Sequence, residues 1–245
     1  MTAPPAALSE GDARRDEIWA RLATVSDPEL DESVAAMGFV NSIELGEGGE
    51  VRIGFRLPTF WCAPNFAFLM AHDMREAVEA IDWVTRAEIS LNDHCNAEEI
   101  NRGVSGGLSF TDTFPGQTAS ELDDLRITFR RKAYQGRQEK LLRHLMAEGF
   151  APDRLADMTL GELAALAVAG EEFESLRARY VEIRGEFGGP AEAGDTAFTT
   201  PEGDAIDAKN FSQYLGALRR VRINAQFNAN MCKSLLDTRY GEAGE

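Results

Sequence analysis

The chain has 245 residues, of which 44% are hydrophobic, and a formal net charge of −16. This length suits one large domain or two small ones, and the charge disfavours binding to nucleic acid or to an anionic membrane surface. No run of the sequence reaches the ~20 apolar residues that a membrane-spanning helix requires. We therefore expect no nucleic-acid or membrane partner. A protein or a metal ion fits the charge better.

The first residues lack the basic segment and the apolar run of a signal peptide, and residues 1–11 are predicted to be a disordered tail. The chain contains three cysteines, Cys62, Cys95 and Cys232, which lie far apart in the sequence. An odd number of separated cysteines argues against a disulfide framework. We expect a cytoplasmic protein with reduced thiols.

Residues 12–93 have the pattern of a small α-β-β-α-β domain. Segment 51–57 alternates apolar residues with polar or small ones, which is the period of a half-buried strand. A glycine-rich turn separates it from the preceding strand, so the two should form an antiparallel hairpin. The predicted elements in chain order are a helix (12–24), a short helix (31–37), two strands (39–45 and 51–57), a helix (65–81) and a third strand (83–91).

The rest of the chain is predicted to be mostly helical, so the fold class is α+β. Residues 94–118 contain several glycines and a proline and are predicted to form an irregular connector. Residues 119–245 are predicted to form a helical extension, interrupted near 185–206 by a flexible segment rich in Gly, Pro, Ala and acidic residues, which is a linker or an exposed loop. Cys232 lies near the apolar stripe of the last helix, and we expect it to be a core residue.

The order strand, helix, strand predicts a right-handed crossover between two parallel strands, 51–57 and 85–91. Their C-terminal ends then lie at one edge of the sheet, an edge that ligands favour in open α/β sheets. Cys62 follows the first of these ends. The hairpin brings the segment near Asp27 to the same edge, and the second strand end is followed by Asp93, His94 and Cys95.

This edge offers the donor types of a metal site. Thiolate and imidazole suit zinc or iron, and carboxylates broaden the choice. Cys62 also precedes a helix, where free N–H groups and the helix dipole favour the thiolate. A simpler alternative is that Cys62 is a small buried hydrophobic residue and that His94 and Cys95 only form a polar turn. The predicted ligands are Cys62, His94 and Cys95, with Asp27, Glu29 and Asp93 shaping the site.

Four short motifs appear in order: Asp27-Pro28-Glu29-Leu30, Gly38-Phe39-Val40, Leu57-Pro58-Thr59 and Cys62. Together they resemble the SufT/PaaD-type iron–sulfur assembly domain over residues 14–92. The resemblance implies a domain that assists maturation of iron–sulfur or other iron proteins, some members accompanying multicomponent oxygenases. It also implies that Cys62 is the cluster or metal ligand and that Thr59 helps to shape the site.

The sequence departs from this family pattern in two places. Bulky Phe60 and Trp61 stand where smaller residues are common, and residues 94–245 have no counterpart in the minimal domain. The aromatic pair either buries the thiol or forms a surface for a partner. The extension is expected to add ligands, a dimer interface or a surface that docks a client.

The resulting expectation is a non-enzymatic metallochaperone that handles iron or an iron–sulfur cluster transiently, with zinc as an open alternative. Its partners would be an apo-metalloprotein client and a second copy of the chain, because one thiol cannot hold a cluster and a two-fold dimer brings two together. One alternative is a protein-interaction adaptor whose thiol is incidental. Another is a hydrolase with Cys62 and His94 as nucleophile and base.

Overall fold

The computed structural model describes residues 10–116 and 119–241, with side chains in the second range from Leu122 onward. It confirms the α+β class, because a three-stranded sheet near the N-terminus is followed by a mostly helical region. The chain divides into two compact units. The first unit holds the residues up to Asp124 and those from Asn228 onward, and the second holds Leu125–Phe227.

The first unit contains the sheet and the helices that flank it. The helices are α1 (Glu10–Leu22), α2 (Pro64–Glu79), α3 (Ala97–Ser105) and α4 (Phe110–Thr113). The strands are β1 (Ser26–Asp27), β2 (Glu32–Ser33), β3 (Val40–Leu45), β4 (Glu50–Arg56) and β5 (Arg86–Asn92), with a 3₁₀ turn at Glu47–Gly49.

The topology of the sheet follows the prediction. Strands β3 and β4 are antiparallel, with Ile43 opposite Ile53, and β4 and β5 are parallel, with Ile53 opposite Ile89. The sheet order is therefore β3-β4-β5, with β1 and β2 forming a separate two-stranded pair. Alternate residues of β4 are buried with one face of α2 in a single apolar cluster. The C-terminal ends of β4 and β5 consequently lie at one edge.

Two local predictions in this unit are wrong. Segment 31–37 is not a helix, because Asp27 accepts hydrogen bonds from the next backbone N–H groups and closes a tight turn between β1 and β2. The predicted connector, 94–118, contains α3 and α4. Glycine is typical of loops, yet Gly103 lies inside α3, where a Cβ would fall 2.2 Å from Oγ1 of Thr113, so the close packing of α3 on α4 leaves no room for a side chain there.

The boundaries of the predicted domains also differ from the structure. Helix α1 begins at Glu10, so residues 10 and 11 belong to it, while the rest of the predicted tail, 1–9, lies outside the described residues. Helices α3 and α4 bury Ile100, Val104 and Phe110 in the core of the first unit. The apolar face of these helices explains why the domain does not end at residue 93.

The second unit is built from helices. It includes α6 (Pro152–Ala156), α7 (Leu160–Ala165), α8 (Glu171–Arg184) and a 3₁₀ turn at Ala208–Asn210. Two long helices, α5 (Ala119–Ala147) and α9 (Phe211–Tyr240), contribute residues to both units. A Thr159–Glu162 capping box opens α7.

The loop at 185–206 lacks helix and strand, but it is not exposed throughout. Its centre, Ala197-Phe198-Thr199, is buried. Arg184 is 1% exposed and donates hydrogen bonds to backbone carbonyl groups of this loop. The prediction of an exposed loop is therefore wrong for the centre, because its apolar pair fills the core and one arginine satisfies its carbonyls.

Across the described part of the chain, none of the helices combines the length and apolarity needed to cross a membrane.

Candidate metal-handling site

The loops that follow β4 and β5 meet at the predicted edge of the sheet. The backbone N–H of Cys95 donates to the carbonyl oxygen of Phe60 at 2.8 Å. The Nε2 atom of His94 lies 2.8 Å from the carbonyl oxygen of Cys62. These two bonds connect segments that are more than thirty residues apart, so the convergence predicted from the strand order is present in the structure.

The thiol of Cys62 is half-buried and lies one residue before Ala63, the N-cap of α2. Pro64 occupies the first turn of the helix, where its missing N–H costs nothing and its fixed φ suits helix initiation. The Oγ1 atom of Thr59 lies 3.1 Å from Sγ of Cys62. Thr59 thus contacts the thiol directly, and its role in shaping the site stays a prediction.

His94 is buried, and both of its ring nitrogens take part in hydrogen bonds. The backbone N–H of Asn96 donates to Nδ1 at 3.1 Å, so Nδ1 carries no proton. Nε2 must then hold the proton that it donates to the carbonyl oxygen of Cys62. A metal ion on His94 would break one of these bonds. The geometry therefore favours a positioning role for His94 over the predicted role as ligand.

Cys95 is exposed, and its thiol donates to Oδ1 of Asn96 at 3.3 Å. In residues 10–116 and 119–241, the predicted set Cys62, His94 and Cys95 does not bring its donor atoms within 4.8 Å of one another. Cys95 therefore joins the two loops through its backbone, and a ligand role for its side chain requires a rearrangement.

Asp27 is 7% exposed and closes the turn beside the site. Its Oδ1 accepts hydrogen bonds from the N–H groups of Glu29 at 2.9 Å and Leu30 at 3.0 Å. Burial raises the pKa of this carboxyl from 3.8 to about 6, although these two bonds act in the opposite direction. Asp27 thus holds the loop in shape, and its carboxyl group loses its proton at a higher pH than an ordinary aspartate does.

Asp93 contacts two residues in the last turn of α9. Its backbone has a φ of 53°, a left-handed conformation that Asp tolerates better than most residues. Its carboxylate forms an ion pair with Arg239 and accepts a hydrogen bond from the hydroxyl group of Tyr240 at 2.8 Å. Asp93 therefore anchors the C-terminal helix at this edge of the sheet.

The sequence did not predict that Cys232 lies against the same apolar cluster as Cys62. This residue of α9 packs, with Cys62, against the apolar cluster of the first unit. Burial raises the pKa of its thiol to about 11, and the nearby charges of Asp27, Cys62 and Glu29 add to that shift. The interpretation of Cys232 as a core residue was therefore incomplete. Its helical spacing from Asn228 and Leu236 could have pointed to a shared face.

Two aromatic side chains stand exposed beside the thiol. Trp61 is 76% exposed and Phe60 is 43% exposed, with the two rings edge to face at 6.5 Å. The sequence left two interpretations of this pair open. The exposure of both rings does not fit the one in which they bury the thiol. Exposed aromatic side chains of this size are typical of surfaces that bind other proteins.

Another group of ligand-type side chains lies on α2. His72, Asp73 and Glu76 bring donor atoms within 4.8 Å of one another. They occupy neighbouring turns of one helix, on a partly solvated face where carboxylates commonly gather. We assign them no function.

Comparisons with known proteins agree with the geometry of the first unit. Residues 15–91 match the family model described as iron-sulfur cluster assembly protein, so this part of the chain is similar to that family. An uncharacterized protein of Methanocaldococcus jannaschii, MJ1129, is 26% identical over 87 residues, which are 36% of this chain and 90% of that protein. No solved structure matches the chain.

Proposed function

We propose that this protein assembles or delivers iron, as ions or as an iron–sulfur cluster, to a metalloprotein client. The observation that carries the proposal is Cys62: a half-buried thiol, contacted by Thr59, at the sheet edge of a domain similar to the assembly family. A thiolate is a ligand for iron and for iron–sulfur clusters. Iron is the cargo here, and the protein binds it only for as long as a client requires.

The exposed pair Phe60 and Trp61 supports an interaction with a client protein. These rings directly precede Cys62, so a protein that docks on them lies next to the thiol. Transfer between two proteins needs this proximity, because an exchanged ligand must reach the metal before the first ligand leaves. A multicomponent oxygenase is our candidate client class, and the cytoplasm is the expected location.

The hydrolase alternative has little support from the geometry. A base for Cys62 would need a hydrogen bond to its sulfur. Nε2 of His94 instead donates to the backbone carbonyl oxygen of Cys62, while Nδ1 accepts from the Asn96 N–H. Zinc remains a chemical alternative to iron, and an adaptor without metal remains the alternative of a different class.

The proposal is tested by anaerobic reconstitution with ferrous iron and sulfide. We expect visible absorption bands, bound iron and acid-labile sulfide in the wild-type protein, and loss of most of each in Cys62→Ser. Cys95→Ser is the matched control, since it removes an exposed thiol from the same edge. Equal iron in Cys62→Ser and wild type overturns the proposal.

Docking through the aromatic pair is tested separately with Trp61→Ala. Because Trp61 is largely exposed, this variant should keep its iron content and lose affinity for the client or for an apo-ferredoxin acceptor. Trp19, which is 40% exposed and lies on α1, provides the control Trp19→Ala. Equal transfer rates in the two variants contradict the docking role. Sedimentation of the loaded and metal-free protein tests whether two copies share the cargo.

A further inference from the structure

One face of the last part of α9 lies against the sheet edge of the first unit. Asn228 donates to Oε1 of Glu29 at 3.4 Å, and Leu236 is buried, lying 3.5 Å from the position of a Cβ on Gly38. Three and four residues further on, Arg239 and Tyr240 reach the opposite end of the same edge. These contacts fix the rotation of α9 about its own axis.

Cys232 lies in the middle of this face. With 3.6 residues per turn, Asn228, Cys232, Leu236, Arg239 and Tyr240 fall within about a third of the helix circumference. Cys232 is one turn from Asn228 and one turn from Leu236. The face that carries Cys232 therefore lies at this edge, where Cys62, Asp27 and Glu29 are close enough to act on its charge and where Cys62 and Cys232 pack against the same apolar cluster.

The C-terminal end of α9 contacts the loops that follow β4 and β5, where the site lies. Arg239 donates to the carbonyl oxygen of Leu57 at 3.3 Å and to that of Asp93 at 3.1 Å. Leu57 follows β4 and precedes the loop of Cys62, and Asp93 follows β5. The guanidinium group thus bridges the two loops of the site, and it fixes the distance of α9 from both.

From this placement we propose that Cys232 is the second protein thiol for the metal species handled at Cys62, so that a single chain supplies two sulfur ligands. This inference rests on the proposed function of Cys62. The two thiols belong to segments that are 170 positions apart, and Cys232 lies outside the part of the chain that matches the assembly family. The C-terminal helix is then a ligand-bearing element of the site.

The chemistry suits soft cations. Binding of a divalent ion forms two metal–sulfur bonds and releases the two thiol protons to solvent, without any change of oxidation state. Two thiolates leave the remaining coordination positions to a client, a sulfide ion or solvent. Such an incomplete ligand set is appropriate for transfer, because an incoming ligand finds an open position. Cys95 is not part of this pair.

The pair is tested on the wild-type protein by alkylation with and without zinc, resolved by peptide mass spectrometry. A metal-bound thiolate is a poor nucleophile, so zinc should slow alkylation of both Cys62 and Cys232 by at least about fivefold. Cys95 should react at the same rate in both conditions. Protection of Cys62 alone overturns the inference and leaves the proposed function standing. Protection of neither thiol overturns the inference, while the iron content of Cys62→Ser decides the proposed function separately.

Cobalt titration gives a second measurement, because the near-ultraviolet charge-transfer band grows with the number of thiolates bound. Cys62→Ser and Cys232→Ser should each lower this band to about half of the wild-type intensity, and the double variant should abolish it. Cys95→Ser should leave it unchanged. Circular dichroism verifies that each variant is folded. A full band in folded Cys232→Ser overturns the inference.

Discussion

The two units differ in what some of their buried polar groups do. In the second unit, Arg184 is buried and its guanidinium donates to five backbone carbonyls, while the hydroxyl group of Tyr134 lies in a network with Tyr180, Gln138 and Thr199. In the first unit, the sheet edge gathers thiols and a carboxyl whose pKa burial raises. The guanidinium group of Arg184 serves structure alone, whereas the sheet edge also carries thiols that are only half-buried or exposed.

The difference separates two uses of burial. A buried group with all of its hydrogen bonds made stabilises one conformation and resists chemical change. A buried group with few partners costs free energy in the absence of a ligand and becomes favourable when the ligand arrives. The second unit is therefore expected to respond to mutation through stability, and the sheet edge through binding and pH.

Arg184→Ala gives the largest expected effect. It leaves five backbone carbonyls without their donor and opens a cavity, so the free energy of unfolding should fall by about 4 kcal/mol or more. Urea denaturation followed by circular dichroism measures it. Arg220→Ala, at an exposed position of α9, is the control and should change stability by less than about 0.5 kcal/mol. Similar effects in both variants contradict a structural role for Arg184.

Asp27→Asn should have an effect that depends on pH. Since the folded pKa, about 6, lies above the ordinary value of 3.8, Asp27 favours folding below pH 3.8, and this contribution is lost as pH rises toward 6. Above pH 6 the buried charge costs about 3 kcal/mol. The amide oxygen of asparagine still accepts the turn hydrogen bonds. The variant should therefore be about 1–3 kcal/mol more stable than wild type at pH 7.

The same measurement at several pH values checks this sign. The stability difference between Asp27→Asn and wild type should shrink as the pH falls from 6 to 4 and vanish below pH 3.8. Asp153→Asn, on an exposed part of α6, provides a comparison outside the first unit. A difference that stays constant with pH would show that burial does not perturb Asp27.

Thr59→Val gives the smallest expected effect. If the threonine hydroxyl donates to the sulfur of Cys62, its loss removes about 0.5–1 kcal/mol of thiolate stabilisation. The rate of alkylation at Cys62 should then fall about two- to fivefold. Thr59→Ser keeps the hydroxyl and should react at the wild-type rate. An unchanged rate in Thr59→Val means that the sulfur is the donor in this pair.

The sequence predicted the sheet of the first unit well because its signals are local. Alternation in β4 and the order of strand, helix and strand are enough to predict which strands pair antiparallel and which pair parallel. They also predict the edge where Cys62 and His94 meet. Residues 94–118 were misread because Gly103 weakens the helical pattern while serving a close contact with Thr113.

Other features depend on contacts between distant segments and left no local signal. Arg184 lies near the end of α8, where the sequence alone predicts a solvated arginine. The side chain is buried because the following loop packs over it. The place of Cys232 depends on the contacts that Asn228 and Arg239 make with residues about 150 to 200 positions earlier. The chemistry of a helix face can be read from sequence, but its docking partner cannot.

The most direct test of iron handling at Cys62 is native mass spectrometry of protein purified without oxygen from iron-replete cells. The method counts iron and sulfide per polypeptide and reports whether one chain or two hold them. We predict an iron-containing species in the wild-type protein and in Cys95→Ser, and its loss in Cys62→Ser. An iron-containing species of equal abundance in Cys62→Ser would contradict the account.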